Sequence, residues 1–234
     1  MPGRPSEAAD RADRILDAAA ELTVRLGSRK VTIDDIAQRA GIGKGTVYLH
    51  WRTKQQLFEA LFVREAVIYI ETLLDELRRD PAVVLPHRMI STLFLVVSRR
   101  PVLRALLTDS LPLLQGRMAE STLRGNELLA TARFHEVMLR YGLFRDDVEH
   151  LMYGLTAMQA GFYLLDTVAP VPDEPDLEAK AEALAHIVRH AYEPAVLPGS
   201  QVIAAAAAEI IALCDTLIPP YRDWLYGAYL TRQD

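Results

Sequence analysis

The sequence predicts an all-α fold in two parts, a three-helix unit over residues 1–53 and a larger helical domain over 54–234. Three observations lead there. Alanine and leucine run throughout, while the 234 residues hold only 13 Pro and 12 Gly, a balance that favours helix. No stretch alternates apolar and polar residues for long enough to make a half-buried strand. From the N-terminus onward, apolar residues recur three and four apart, the period of a helix with one face in a core.

The elements come in this order. Residues 1–8 read as a disordered basic arm, and the first helix is expected over 9–26. There Ala12, Ile15, Ala19, Leu22 and Leu26 share one side, Asp13, Arg14, Asp17, Glu21 and Arg25 cover the other, and Gly27 stands where a C-terminal cap belongs. Thr32 caps a short helix that stops at Gly41; Asp35 lies three residues on, and both Asp34 and Asp35 favour the positive helix end. A second short helix is expected over 44–51, and Thr53 then caps a long one reaching Arg79, ahead of Pro81. Further helices are expected over 82–99, 101–109, 111–141 with a break near Gly116, 145–168, 177–192 and 200–230. Pro219 and Pro220 lack the amide proton of an interior helix position, so they should kink or break the last helix. Residues 169–176, APVPDEPD, form the clearest loop.

The net charge of −5 does not by itself mark a nucleic-acid binder, but its distribution is uneven. Residues 1–60 hold 10 Lys/Arg against 8 Asp/Glu, a balance of +2, and residues 61–234 hold 16 against 23, a balance of −7. A basic front end on an acidic body suits a protein whose first part meets an anionic surface. The lone Cys214 can form no internal disulfide and reads as a small buried hydrophobe. The start, MPGRPSEAADRADR, lacks the apolar core of a signal peptide. The longest apolar run, Val202 to Ile218, carries Glu209 and Asp215 and falls short of a membrane span. A cytoplasmic location without membrane association is therefore expected.

The stretch from Thr32 to Lys54, TIDDIAQRAGIGKGTVYLHWRTK, carries the most information. Two short helices joined by a tight glycine-containing turn are the physical signature of a helix-turn-helix. Ala37 is small where the helices would cross, and Gly41 supplies the left-handed backbone that the turn needs. Ile36, Ala40, Ile42 and Val47 would lock the pair onto the first helix, leaving the second to lie in a DNA major groove. Over residues 9–62 the chain resembles the TetR (tetracycline-repressor) family of transcriptional regulators, with Lys44–Trp51 similar to the recognition helix and Thr53-Lys54 to the capped fourth helix.

The resemblance implies roles position by position. Lys44, Gly45 and Thr46 match base-facing positions, where Lys44 would reach guanine O6/N7. Tyr48, His50, Thr53, Lys54 and the N-cap Thr32 match positions that hold phosphates, each with a hydrogen-bond donor, and the helix starts add backbone N–H groups. For Tyr48 and His50, packing against the first helix is the competing reading; for Trp51 packing is preferred, because a large ring there would seal the three-helix core. Two departures stand out. Gly43 replaces a frequent Ser, so the recognition helix loses a side-chain cap, and Leu49 replaces a more usual polar or aromatic residue.

For the larger domain the resemblance implies a homodimer, with helices 145–168 and 177–192 forming a four-helix bundle across a two-fold axis. Leu151, Leu155, Met158, Ala160, Phe162 and Leu165, with Leu184, Ile187 and Tyr192, exceed what one helix buries alone. It also implies a cavity for a small apolar or aromatic effector, with Phe62, Tyr69, Met89, Leu93, Phe94, Val97, Met118, Phe134, Met138, Tyr153 and Phe162 as candidate lining. The expected activity is that of a repressor binding an inverted-repeat operator in double-stranded DNA and released by that effector, without a cofactor. The alternative is a helical small-molecule carrier whose DNA-binding motif is unused. No nucleophile–base pair, phosphate loop or other catalytic signature marks an enzyme. His186 and His190 share one helix face at metal-ligand spacing, but no Cys or carboxylate pattern completes a site, and a solvated face is the expected reading.

Overall fold

A computed structural model describes residues 7–109, 132–168 and 173–227, and the regular structure over them is entirely helical. In chain order it comprises α1 (Glu7–Leu26), α2 (Ile33–Ala40), α3 (Lys44–His50), α4 (Lys54–Arg79), a 3-10 turn (Pro81–Val84), α5 (Pro86–Arg99) and α6 (Pro101–Asp109). After these come α7 (132–140), α8 (Leu151–Val168), α9 (Leu177–Ala191) and α10 (Ser200–Gly227). They group into two compact units. The first holds described residues 7–68, 101–109 and 218–227; the second holds 69–100, 132–168 and 173–217.

In the first unit α1 buries Ala12, Ile15, Leu16, Ala19 and Leu22, the stripe of an amphipathic helix. Gly27 ends it in the left-handed region at φ 79°, its N–H on the Thr23 carbonyl at 2.9 Å. Against this helix α2 buries Ile33, Ile36 and Ala37, and an Arg39–Glu21 ion pair ties the two together. Arg64 of α4 meets Asp17 of α1 at 2.7 Å.

In the second unit α5 packs along α9, burying Met89, Ile90, Leu93, Phe94 and Val97 against Ala181, Leu184 and Val188. Just past α9, Glu193 is buried with its side chain wholly out of solvent. Its carboxylate accepts the His87 backbone N–H at 2.6 Å and lies 2.8 Å from His87 Nδ1 and 3.6 Å from Arg189 Nε. Arg189 also donates to the Pro194 and Ala195 carbonyls. The end of α9 is thereby clamped to the first turn of α5.

Three boundaries differ from expectation. Helix 82–99 is split, because the Asp80 carboxylate caps a short 3-10 turn at Ala82 N–H and Pro86 then opens α5. The helix expected from 145 starts at Leu151: Gly142 ends α7 at φ 65°, and Arg145 is held in the connection by a two-point pair with Asp147. The expected break near Gly116, with the rest of 110–131, lies outside the described residues, as do 169–172 of the expected loop. Finally, α10 continues through Pro219 and Pro220. Asp215, Thr216 and both prolines are exposed, so the two carbonyls that lose a donor are open to water.

Because α10 does not stop there, Ser200–Leu225 is long and apolar enough, by length and composition, to cross a membrane, where the run ending at Ile218 was expected to fall short. Only 22% of its most apolar window is buried. Ala206, Ala207, Ile210 and Cys214 are buried within the second unit, and the residues at 204, 205, 208 and 212 on the exposed side are all alanine. Glu209 and Asp215 pair with Arg140 and Arg78 of the same unit at 2.6 and 2.9 Å. Burial pushes the Cys214 thiol up to about 11, so it stays protonated at neutral pH.

Candidate nucleic-acid interface

The site is built on α2, the turn after it, and α3. Thr32 caps α2: its hydroxyl accepts the Asp35 N–H at 3.2 Å, and its own N–H donates to Asp35 Oδ2 at 2.9 Å. The Thr32 hydroxyl proton, and then the Thr32 N–H, hold the Asp35 carboxyl below the usual carboxylate range. Gly41 takes φ 67° and ψ 36°, and Ile42 N–H returns to the Ala37 carbonyl at 3.0 Å, which turns the chain sharply. Gly43 then opens α3 with no side-chain cap, in keeping with the absence of a serine there. Val47 and Trp51 are buried and fasten α3 to the core, Trp51 as predicted. The opposite side of α3 faces solvent: Lys44 and Gly45 are exposed, Tyr48 is 42% exposed and Leu49 74%.

The predicted contact residues fall at this end of the unit in different states. Lys44 Nζ donates to Asp34 Oδ2 at 2.7 Å, a hydrogen bond that raises its pKa. Thr46 is half-buried. The Thr32 hydroxyl also donates to Asp35 at 2.6 Å, so its proton is engaged within the cap. Thr53 accepts Gln56 N–H at 3.1 Å and caps α4. Lys54 Nζ lies 3.1 Å from the Arg29 carbonyl and over the Phe58 ring, and burial lowers its pKa. The His50 ring stands 5.5 Å from that of Trp51, and burial, then the charge of Arg11, lowers its pKa. Tyr48 points outward more than the packing alternative implies. Sequence reading missed the Asp34–Lys44 pair, which spans ten residues across a turn and matches no helical spacing.

Residues 15–61, from α1 into α4, match the model of the bacterial regulatory proteins of the tetR family. The HTH-type transcriptional repressor KstR2 of Mycolicibacterium smegmatis is 40% identical over 58 residues, 25% of this chain and 28% of that protein. Residues 15–61 thus carry the sequence signature of the tetR family. Two solved structures extend the likeness of fold beyond this motif. The fatty acid degradation regulator FadR from Bacillus halodurans superposes with a TM-score of 0.58 at 15% identity, over 80% of this chain and 96% of that one. A gamma-butyrolactone receptor (ArpA-like protein) does so at 0.53 and 18% identity, over 91% and 98%. By sequence, the match spans little more than a quarter of the repressor's length and rests on the DNA-binding end.

In the second unit, several candidate lining residues are brought together. Phe94 meets Phe162 edge-on at 6.0 Å and Tyr163 at 5.5 Å. Tyr69 is half-buried, with Tyr163 near its phenol; desolvation, then Tyr163, drives that phenol far above the ordinary value, and burial pushes Tyr163 up to about 12. Met89, Leu93, Val97 and Met138 are packed in the interior, and Phe134 is half-buried. Phe62 belongs to the first unit, where it is half-buried. Met118 lies outside the described residues. Tyr153 corrects the reading: at 79% exposure it lines no interior cavity, because it sits on the outward side of α8. A cleft of about 920 Å³ in this unit is lined instead by Leu139, Phe144, Arg145, Arg189, His190 and Glu193, among others, none of them predicted.

The residues expected at a dimer interface also divide. Leu151, Leu155 and Leu184 are buried within their own unit, while Leu165 and Ile187 are 49% and 41% exposed. The His186 and His190 rings lie 4.2 Å apart and tilted, with His190 Nδ1 on the His186 carbonyl, and the described residues contain no group of three metal-ligating side chains.

Proposed function

We propose that this chain is a homodimeric transcriptional repressor that binds an inverted-repeat operator and leaves it when a small, largely apolar effector binds the second unit. The observation that carries the reading is the division of α3, with Val47 buried beneath and Lys44, Gly45, Tyr48 and Leu49 presented outward. A short helix anchored on one side and solvated on the other is what a major groove accepts. Lys44, Gly45 and Thr46 would face base edges. Thr32, Tyr48, His50, Thr53 and Lys54 would hold phosphates, Thr32 through its cap and Lys54 after leaving the Arg29 carbonyl.

The aromatic cluster of Tyr69, Phe94, Phe162 and Tyr163 supports an apolar or aromatic effector with one polar handle. The names of the two structural relatives, a fatty acid degradation regulator and a gamma-butyrolactone receptor, agree with that class. Tyr153 and Leu165 on α8, with Ile187 on α9, leave apolar side chains in solvent that a second copy would cover. As α4 is one helix from Lys54 to Arg79, strain on its later turns would tilt α3 and change the spacing of two recognition helices, which must fit grooves about 34–36 Å apart. DNA and effector then weaken each other's binding by the same factor. The work is done where the DNA is, in the cytoplasm.

The test is a gel shift on genomic fragments. Tyr48→Phe should weaken binding to all fragments alike, and Lys44→Ala should relax discrimination at one or two base pairs by about 1–3 kcal/mol. Failure to shift any fragment, with the protein folded, would sink the reading in favour of a helical carrier.

A further inference from the structure

Asp34 stands on the first turn of α2, exposed, with Oδ2 2.7 Å from Nζ of Lys44, the first residue of α3. It takes no part in the cap, which Thr32 makes with Asp35. The cation at the base-facing end of α3 is therefore already neutralised before any DNA arrives. Both side chains remain open to water, Lys44 at 49% and Asp34 at 66% exposure, so the pair can exchange partners without a change of fold.

Resting on the DNA-binding reading above, we propose that Asp34 is a specificity-determining residue: it keeps Lys44 from ordinary phosphates and yields it only to a base edge with acceptors in the right place. The relative strengths make this workable. An exposed ion pair is worth up to about fivefold in an equilibrium. A good two-point contact to guanine contributes more, from about fivefold to about a hundredfold. On random DNA, where no such acceptors sit opposite Lys44, the pair persists, and the carboxylate adds repulsion towards nearby phosphates. On the matching site the lysine changes partner.

The experiment compares wild type, Asp34→Asn, Lys44→Ala and the double variant on a random-sequence duplex across a salt series. Asp34→Asn should bind random DNA about two- to fivefold more tightly. Its affinity should also fall more steeply with salt, by about one unit of slope, because one more cation is engaged. Both gains should vanish in the Lys44→Ala background, and a duplex selected by wild type from genomic fragments should gain less than the random one. Asp34→Ser serves as a second substitution, with melting temperature as the check that the cap is intact. An equal gain in the Lys44→Ala background would overturn the proposal, since Asp34 would then act only by repelling the duplex. No gain from either substitution, while wild type still binds DNA, would overturn it too. Absence of binding by every form would instead remove the DNA-binding reading itself.

Discussion

Gly45 lies in the first turn of α3, where an added Cβ meets no atom within 4 Å. A helical glycine costs about 0.8–1.0 kcal/mol relative to alanine, so Gly45→Ala should raise the melting temperature of the chain. An unchanged or lower value would show that the glycine meets a need the backbone does not reveal. His50 makes a different prediction at this scale. Burial, and then Arg11, lowers its pKa below the ordinary 6.5, so the folded chain binds fewer protons there than the unfolded chain. Stability from this source is present above about pH 6.5 and lost as pH falls towards the folded value. Thermal melts between about pH 7 and about pH 5 should show that decline, and His50→Gln should flatten it. At this scale the Thr32–Asp35 cap was legible because its partners are three apart in one helix. The Lys44–Asp34 pair was not, because the turn at Gly41 brings together side chains of two helices.

Among the elements, α5 and α9 show how a helix start is set by something distant in sequence. The carboxylate of Glu193 binds the His87 N–H and ring beside Pro86, and Arg189 holds the same group. Breaking a buried pair leaves its partners uncompensated, so Glu193→Ala should destabilise the chain by about 3–5 kcal/mol in denaturant unfolding. Arg145→Ala breaks only the exposed pair with Asp147 and should cost far less. Equal losses would mean that Glu193 is solvated in solution. Apolar periodicity placed α9 and the end of α5 but saw neither the start of α5 at Pro86, nor Glu193, nor the start of α8 at Leu151. Glu193 binds a group 106 residues away, and the connection before α8 is held by polar groups that carry no apolar period.

For the molecule as a whole, the exposed apolar residues Leu165 and Ile187 bear on assembly. The chain should sediment at about twice its 26.2 kDa, as a two-fold dimer requires. Leu165→Glu combined with Ile187→Glu should shift it towards 26.2 kDa and weaken operator binding, because one recognition helix no longer brings the other. A wild-type chain that stays monomeric and still binds an operator tightly would overturn the homodimer. Charge distribution gave the first hint of two parts, but only packing shows residues 101–109 and 218–227 grouped with the N-terminal helices.

By itself the sequence determined the all-helical class, the helix-turn-helix with its Thr32 cap and Gly41 turn, and the likeness of residues 15–61 to the TetR family. All of these rest on local spacing and backbone preference, which a few neighbouring residues carry. Tertiary structure decided the features that arise where distant segments meet. It paired Lys44 with Asp34, buried Glu193 behind α5, gathered Phe94 with Phe162 and Tyr163, turned Tyr153 to solvent, and carried α10 through two prolines. The physical reason is that amphipathic spacing says which side of a helix is apolar, and not what covers it. An α8 with apolar residues on more than one side can bury Leu151 and Leu155 while exposing Leu165, and only the packed chain chooses.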